Sequence, residues 1–295
     1  MSLDASTARG SICAATAMVA VGSSAAVSPV LTEYPLLSGQ AWRYVVAGLL
    51  LLLARRGPAV PAARLTPRQW ARIALLAATG MAGFNVCLLE AVRRADPSTV
   101  GAVVGAAPIV LAVAGPLGSA QRPSARIAFS ALVTTAGVCV IQAFGHGSVT
   151  GLLYALGALA CECCFSLLAV GLLPALGARR LSAFACLAAA PMLAVAAALT
   201  EGADALQRPT VAEWLALGYL TLVVTALAFF LWYAGIGLLG VDRAGLFAGI
   251  VPLTAVLLGP VLGTGRLAPT SVLGALVIGA AVLYGVSAPA PDRPR

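Results

Sequence analysis

The chain has 295 residues, of which 61% are hydrophobic and only 9% charged, and its mean hydropathy is +0.99. A soluble globule carries about 25% charged residues, so there is too little polar surface here to keep a chain of this size in water; disorder, which needs low hydrophobicity and high charge, is excluded by the same numbers. The net charge of +8 rests on arginine alone among the basic residues, and in so apolar a chain that excess marks cytoplasmic loops rather than an affinity for nucleic acid.

A hydrocarbon core about 30 Å thick takes roughly 20 apolar residues per helix, and ten stretches qualify. The first, 11–31, is too long for the apolar part of a secretory signal, about 7–15 residues, and its leader offers a single Arg9 offset by Asp4. The second, 35–54, holds Arg43, and the third, 73–92, holds Asn85 and Glu90. Arg93 and Arg94 follow Glu90 at spacings of three and four, so a local surface pair is expected there. The fourth, 97–117, contains Gly101, Gly105 and Pro108; the fifth is 124–144. The sixth, 151–173, has Glu162 at its centre, among Cys161, Cys163 and Cys164. The seventh is 181–200. The eighth, 214–238, carries Phe229, Phe230, Trp232 and Tyr233. The ninth, 244–264, contains Gly245, Gly249 and Pro252, and the tenth is 267–287. The connections are short, the longest running from Arg55 to about Arg72, and leave no room for a domain outside the membrane.

Ten spans put both termini on one side. With the termini inside, only Arg93, Arg94, Arg208 and Arg266 fall in outer segments, and all the other loop arginines face the cytoplasm, so an N-in/C-in topology is expected.

Sliding the sequence against itself by 144 positions pairs Trp70 with Trp214, Gly101 with Gly245, Gly105 with Gly249 and Pro108 with Pro252. The same shift pairs Gly115 with Gly259, Pro116 with Pro260 and Arg122 with Arg266. Gly and Pro mark places where a helix is kinked or closely approached. Two five-helix repeats, 1–144 and 145–295, are therefore expected. Because five is odd, the second sits inverted relative to the first, as in secondary transporters with a site near the midplane.

The stretch from Pro35 through Arg43 to Leu50, together with Gly105-Ala106-Ala107-Pro108 and its echo Gly249-Ile250-Val251-Pro252, resembles the drug/metabolite transporter superfamily, in particular its ten-helix EamA-type exporters. The Gly-Glu pair that often follows the fourth and ninth helices in that family is replaced here by Gln121-Arg122 and Gly265-Arg266. The resemblance implies an all-α integral membrane fold. It also implies export of a small metabolite, such as an amino acid or a toxic analogue, driven by an ion gradient or by facilitated diffusion.

Among the residues themselves, Glu162 stands out, because a charge at the centre of a span costs about 2.5–3.5 kcal/mol and marks a functional site by default. It is a candidate for proton coupling or substrate binding; the alternative is a carboxyl kept protonated or paired for structure. Arg43 lies within about one helical turn of the same depth, which permits a salt bridge or a shared substrate site; otherwise its long stem snorkels to the headgroups. Asn85 could bind substrate or join helices. Trp232 and Tyr233 could wall a cavity or belong to the core or the interfacial belt. Gly105 with Pro108 and Gly249 with Pro252 mark symmetric points of helix break or gating.

No catalytic constellation, metal site or cofactor motif is legible. The single His146 lies in a loop, the clustered cysteines have no zinc-type spacing, and no phosphate-binding glycine loop is present. The expected partners are the lipid bilayer, a small-molecule substrate and a proton. Uptake of a metabolite is the alternative within transport, and an intramembrane enzyme or sensor is the competing class.

Overall fold

The computed structural model describes residues 5–54, 65–118, 121–142, 146–261 and 269–287, and every regular element among them is helical. Helix α1 is Ala5–Gly22. Nine further helices are each long and apolar enough to cross a membrane. They are α2 Leu36–Leu53, α3 Pro67–Val92, α4 Pro97–Leu117, α5 Ala125–Gln142, α6 Val149–Val170, α7 Leu173–Thr200, α8 Val211–Leu239, α9 Val241–Leu258 and α10 Pro269–Val286. The chain is an all-α, multi-pass integral membrane protein. The loop arginines Arg55, Arg56 and Arg64, and the Gly265-Arg266 pair, lie outside the described residues.

The expected first span, 11–31, is displaced. The helix begins six residues earlier, takes Arg9 into its second turn and stops at Gly22, after which 23–26 and 28–31 form 3-10 turns. Pro29 lacks the N–H that a continuing α-helix would need. The third and eighth helices also begin earlier than the apolar runs do, because capping boxes start them. Thr66 pairs with Gln69 and Thr210 with Glu213, each side chain taking up the other residue's backbone N–H.

Large apolar side chains such as Leu153, Leu199, Leu276 and Leu283 are turned outward, and small ones such as Ala14, Ala17, Ala47, Ala183 and Ala185 fill the interior. This is the reverse of a soluble core. Lipid solvates leucine as well as a neighbouring helix does, so association relies on close van der Waals approach between small residues.

The clearest case is α5 against α10. A Cβ on Gly137 would lie 3.3 Å from the Gly274 carbonyl, and one on Gly274 would lie 2.9 Å from the Gly137 carbonyl. Ser130 Oγ donates to the Ala281 carbonyl seven residues along. Residues 130 and 137 thus face 281 and 274, so the two helices run antiparallel. Shifted by 144 positions, the Ser130 and Ala281 pair becomes Gly274 and Gly137, and the contact exchanges with itself.

Arginines hold several helix ends. Arg179 Nη1 donates to the Leu51 carbonyl at 2.7 Å, Arg72 Nε to Leu168 at 2.9 Å and Arg126 Nε to Tyr284 at 3.0 Å. Each acceptor lies in the last turn of α2, α6 or α10, where carbonyls lack helical partners and the helix dipole favours a cation.

Candidate functional site

Two cavities open at opposite ends of α8. The first, of about 450 Å³, lies near its start and is lined by Tyr34, Trp42, Arg43, Arg208, Trp214 and Gly218 among others. The second, of about 1020 Å³, lies near its end and is lined by Thr7, Pro116, Leu173, Tyr233, Gly240 and Arg243 among others. They are called here the Glu201 end and the Gly240 end.

Between them stands a packed series of rings. Tyr233, fully buried, stacks on Phe165 of α6 at 4.9 Å between centroids; Phe165 meets Phe229 at 4.9 Å, and Phe229 meets Tyr44 of α2 at 6.3 Å. Polar tips fix the series. Tyr233 Oη donates to the Phe165 carbonyl at 3.3 Å, Trp232 Nε1 donates to Ser166 Oγ at 3.1 Å, and Asn85 Nδ2 donates to Tyr44 Oη at 3.1 Å. Buried aromatic polar groups find partners of this kind because an unpaired one is costly.

Two π-helical segments place the polar residues. In α3 the backbone widens over Ala78–Gly83, and in α8 over Leu220–Leu227. Such segments shift the carbonyl ladder by one residue and recur at functional sites. In α8, Thr225 Oγ1 donates to the Leu220 carbonyl at 3.0 Å, five residues back, and accepts from Arg43 Nε at 3.1 Å and Nη2 at 2.6 Å. In α3, Asn85 Nδ2 also donates to the Met81 carbonyl at 2.8 Å. The two segments therefore serve adjacent residues of α2, Arg43 and Tyr44.

Arg43 is nine-tenths buried rather than snorkelling to an interface. The ion pair with Glu162 that similar depth permits is absent from the ion pairs seen among the described residues; the guanidinium donates to Thr225 instead. Glu162 instead lies one turn before Ser166, on the α6 face that also buries Ala158, and its Oε2 is buried without a hydrogen-bond partner. Asn85, Trp232 and Tyr233 are thus brought together around α2 and α6, with Arg43 at one side and Glu162 a turn away.

The helix containing Pro108 is interrupted at Gly105–Ala106, and the one containing Pro252 passes through a 3-10 turn at Leu246–Gly249. A Cβ on Gly105 would strike Val138, and one on Gly249 would strike Thr134, so both breaks press against α5. Glu90 pairs with Arg93, at 2.8 Å, and with Arg94.

Sequence reading missed Thr225, Phe165, Ser166 and Tyr34. At the Glu201 end, the Glu201 carboxylate accepts from the backbone N–H groups of Leu37 at 2.6 Å and Ser38 at 3.1 Å, capping α2 from a distant segment. Tyr34 is buried beside it. Burial pushes its phenol above the ordinary 10.0, and the Glu213 and Glu201 charges push it further.

A bundle of apolar helices, with breaks in the helices of Pro108 and Pro252 and a cavity opening at each end of α8, is an arrangement suited to a membrane transporter. The EamA-like transporter family model matches residues 8–143 and again 149–286, and the chain belongs to that family. It is 29% identical over 258 residues to a Bacillus subtilis (strain 168) protein named "Uncharacterized transporter YetK", covering 84% of this chain and 78% of the relative. A solved crystal structure of a protein shares the fold with a TM-score of 0.83 at 20% identity, covering 94% of this chain and 97% of that one.

Proposed function

We propose that the chain exports a small metabolite by alternating access, as a ten-helix N-in/C-in bundle of two inverted five-helix repeats, 1–144 and 145–295. The observation that carries this reading is the pair of cavities at opposite ends of α8, separated by the ring series from Tyr44 to Tyr233. Rocking one repeat against the other would open the rings toward one cavity and close them toward the other. The breaks beside Pro108 and Pro252 are the hinges of that motion, and the antiparallel contact of α5 with α10 supports the inverted arrangement.

Glu162 supplies the coupling. Its unpartnered carboxyl oxygen is tolerable in the bilayer when protonated and costly when charged, and moving one charge across the field is worth about 2.3 kcal/mol per 100 mV. In proteoliposomes with a pH gradient, Glu162→Gln should lose gradient-driven accumulation and keep solute exchange; full accumulation would reduce Glu162 to a structural residue. The direction of accumulation relative to the gradient separates export from uptake. Cysteines introduced at Ala63 and Ala203 should be labelled from the cytoplasm and the exterior respectively, and labelling of both from one side would sink the inverted repeat.

A further inference from the structure

We infer that the cavity at the Glu201 end binds a small amphipathic carboxylate, its anionic head on Arg43 and its apolar body against Trp42, Trp214 and Leu222. The inference deepens the transport reading and rests on it only for the ligand's being moved across the membrane; binding can be tested by itself.

The charge pattern points to an anion. Arg43 is nine-tenths buried and lines the cavity, and its hydrogen bonds among the described residues go to one neutral hydroxyl, Thr225 Oγ1. Among the described residues no carboxylate pairs with it, and no Asp or Glu lines the cavity. The other charged residue in the wall is Arg208, exposed on the loop before α8. The nearby acids are already occupied. Glu201 takes the N–H groups of Leu37 and Ser38, and Glu213 takes the backbone and hydroxyl of Thr210 at 2.6 and 2.8 Å.

A desolvated guanidinium without a counter-ion is costly, and a carboxylate meets its planar fork with two parallel charge-assisted bonds. With one edge of the fork held by Thr225, the remaining N–H groups are left for the ligand.

The walls set the rest of the ligand. Away from the two arginines they are mostly apolar and aromatic, which suits an alkyl or aryl body and disfavours a sugar or a second charge. The volume of about 450 Å³ sits at the small end of ligand pockets, about 300–1,000 Å³, enough for one small amphiphile but not for the two chains of a phospholipid. Gly218 leaves the floor open, since a Cβ there would meet nothing within 4 Å.

The full chain in nanodiscs of phosphatidylcholine can be titrated with phenylbutyrate and with its neutral amide, phenylbutyramide, following tryptophan fluorescence and heat. The carboxylate should bind saturably. The amide should bind about tenfold or more weaker, as expected when a charge-assisted hydrogen bond is lost. Arg43→Gln should weaken the carboxylate by a similar factor. Gly218→Leu, whose Cβ would meet nothing within 4 Å and whose side chain favours the helix, should abolish binding in a protein that still folds.

Equal binding of acid and amide, or unchanged binding by Gly218→Leu, would overturn the proposal. So would a tryptophan response to phosphatidylglycerol in the disc that Arg43→Gln removes while phenylbutyrate never binds, which would make this a lipid headgroup site. Carboxylate binding without counterflow of the labelled compound would leave the site standing and overturn the transport reading. Counterflow of other solutes with no carboxylate binding would do the reverse.

Discussion

In α3 the Thr66–Gln69 capping box is followed by a π segment at Ala78–Gly83; in α8 the Thr210–Glu213 box, 144 positions later, is followed by one at Leu220–Leu227. The backbone device repeats, but its side chains do not. The position equivalent to Thr225 is Met81, and the position equivalent to Asn85 is Phe229. Both helices nevertheless direct a polar group onto α2, where Arg43 and Tyr44 receive them, whereas the equivalent positions in α7 are Leu187 and Ala188. The two helices share a backbone device and differ in the side chains it carries, and the polar groups they direct meet on α2.

The comparison can be broken first where the two helices differ most. Thr225→Val keeps the shape but leaves the buried, charged Arg43 without its hydroxyl acceptor, at a cost of about 3 kcal/mol, the upper end for a buried group left unsatisfied. Asn85→Leu removes neutral bonds to Tyr44 and Met81 and should cost about 1–2 kcal/mol. Unfolding in detergent should therefore rank Thr225→Val well below Asn85→Leu. Adding Arg43→Leu to Thr225→Val should recover much of the stability, since removing both partners is far cheaper than removing one. The reverse ranking, or no recovery, would mean that water in the cavity or the headgroups satisfy Arg43 and that Thr225 does not hold it.

Much of this was legible in the sequence. The spans α2 to α10 each cover most of the expected apolar run, because lipid demands about 20 apolar residues, although α7 begins eight residues before its expected start at 181 and takes in Arg179 and Arg180. The ends were less legible, because capping boxes extend α3 and α8 into polar sequence, and α1 gives way to 3-10 turns after Gly22 although the composition stays apolar. Arg43, Asn85 and Glu162 were visible as polar groups where lipid forbids them. Their partners were not. Thr225 is one hydroxyl in a long apolar run, and its meeting with Arg43, 182 residues away, depends on the rotation of α8, which the π segment resets. Nothing in a 3.6-residue periodicity announces that shift. The match in depth between Arg43 and Glu162 suggested a pair for the same reason: depth along a helix can be counted, but the facing of two helices cannot.

The smallest effect separates the two capping boxes themselves. At Thr66 the acceptor is the neutral Gln69 Oε1, 2.9 Å from the backbone N and 3.2 Å from the hydroxyl; at Thr210 it is the Glu213 carboxylate, at 2.6 and 2.8 Å. Bonds to a charged acceptor are shorter and roughly twice as strong, and Glu213 is buried, so water does not replace a lost donor. Thr66→Ala should cost about 1 kcal/mol, the usual value for a lost cap, and Thr210→Ala up to about 2 kcal/mol. Denaturation of the two variants side by side in the same detergent checks the order. Glu213→Gln should then bring the second box close to the first, so that removing Thr210 in that background costs no more than removing Thr66. Equal losses for the two single variants would show that the buried carboxylate adds nothing to the start of α8.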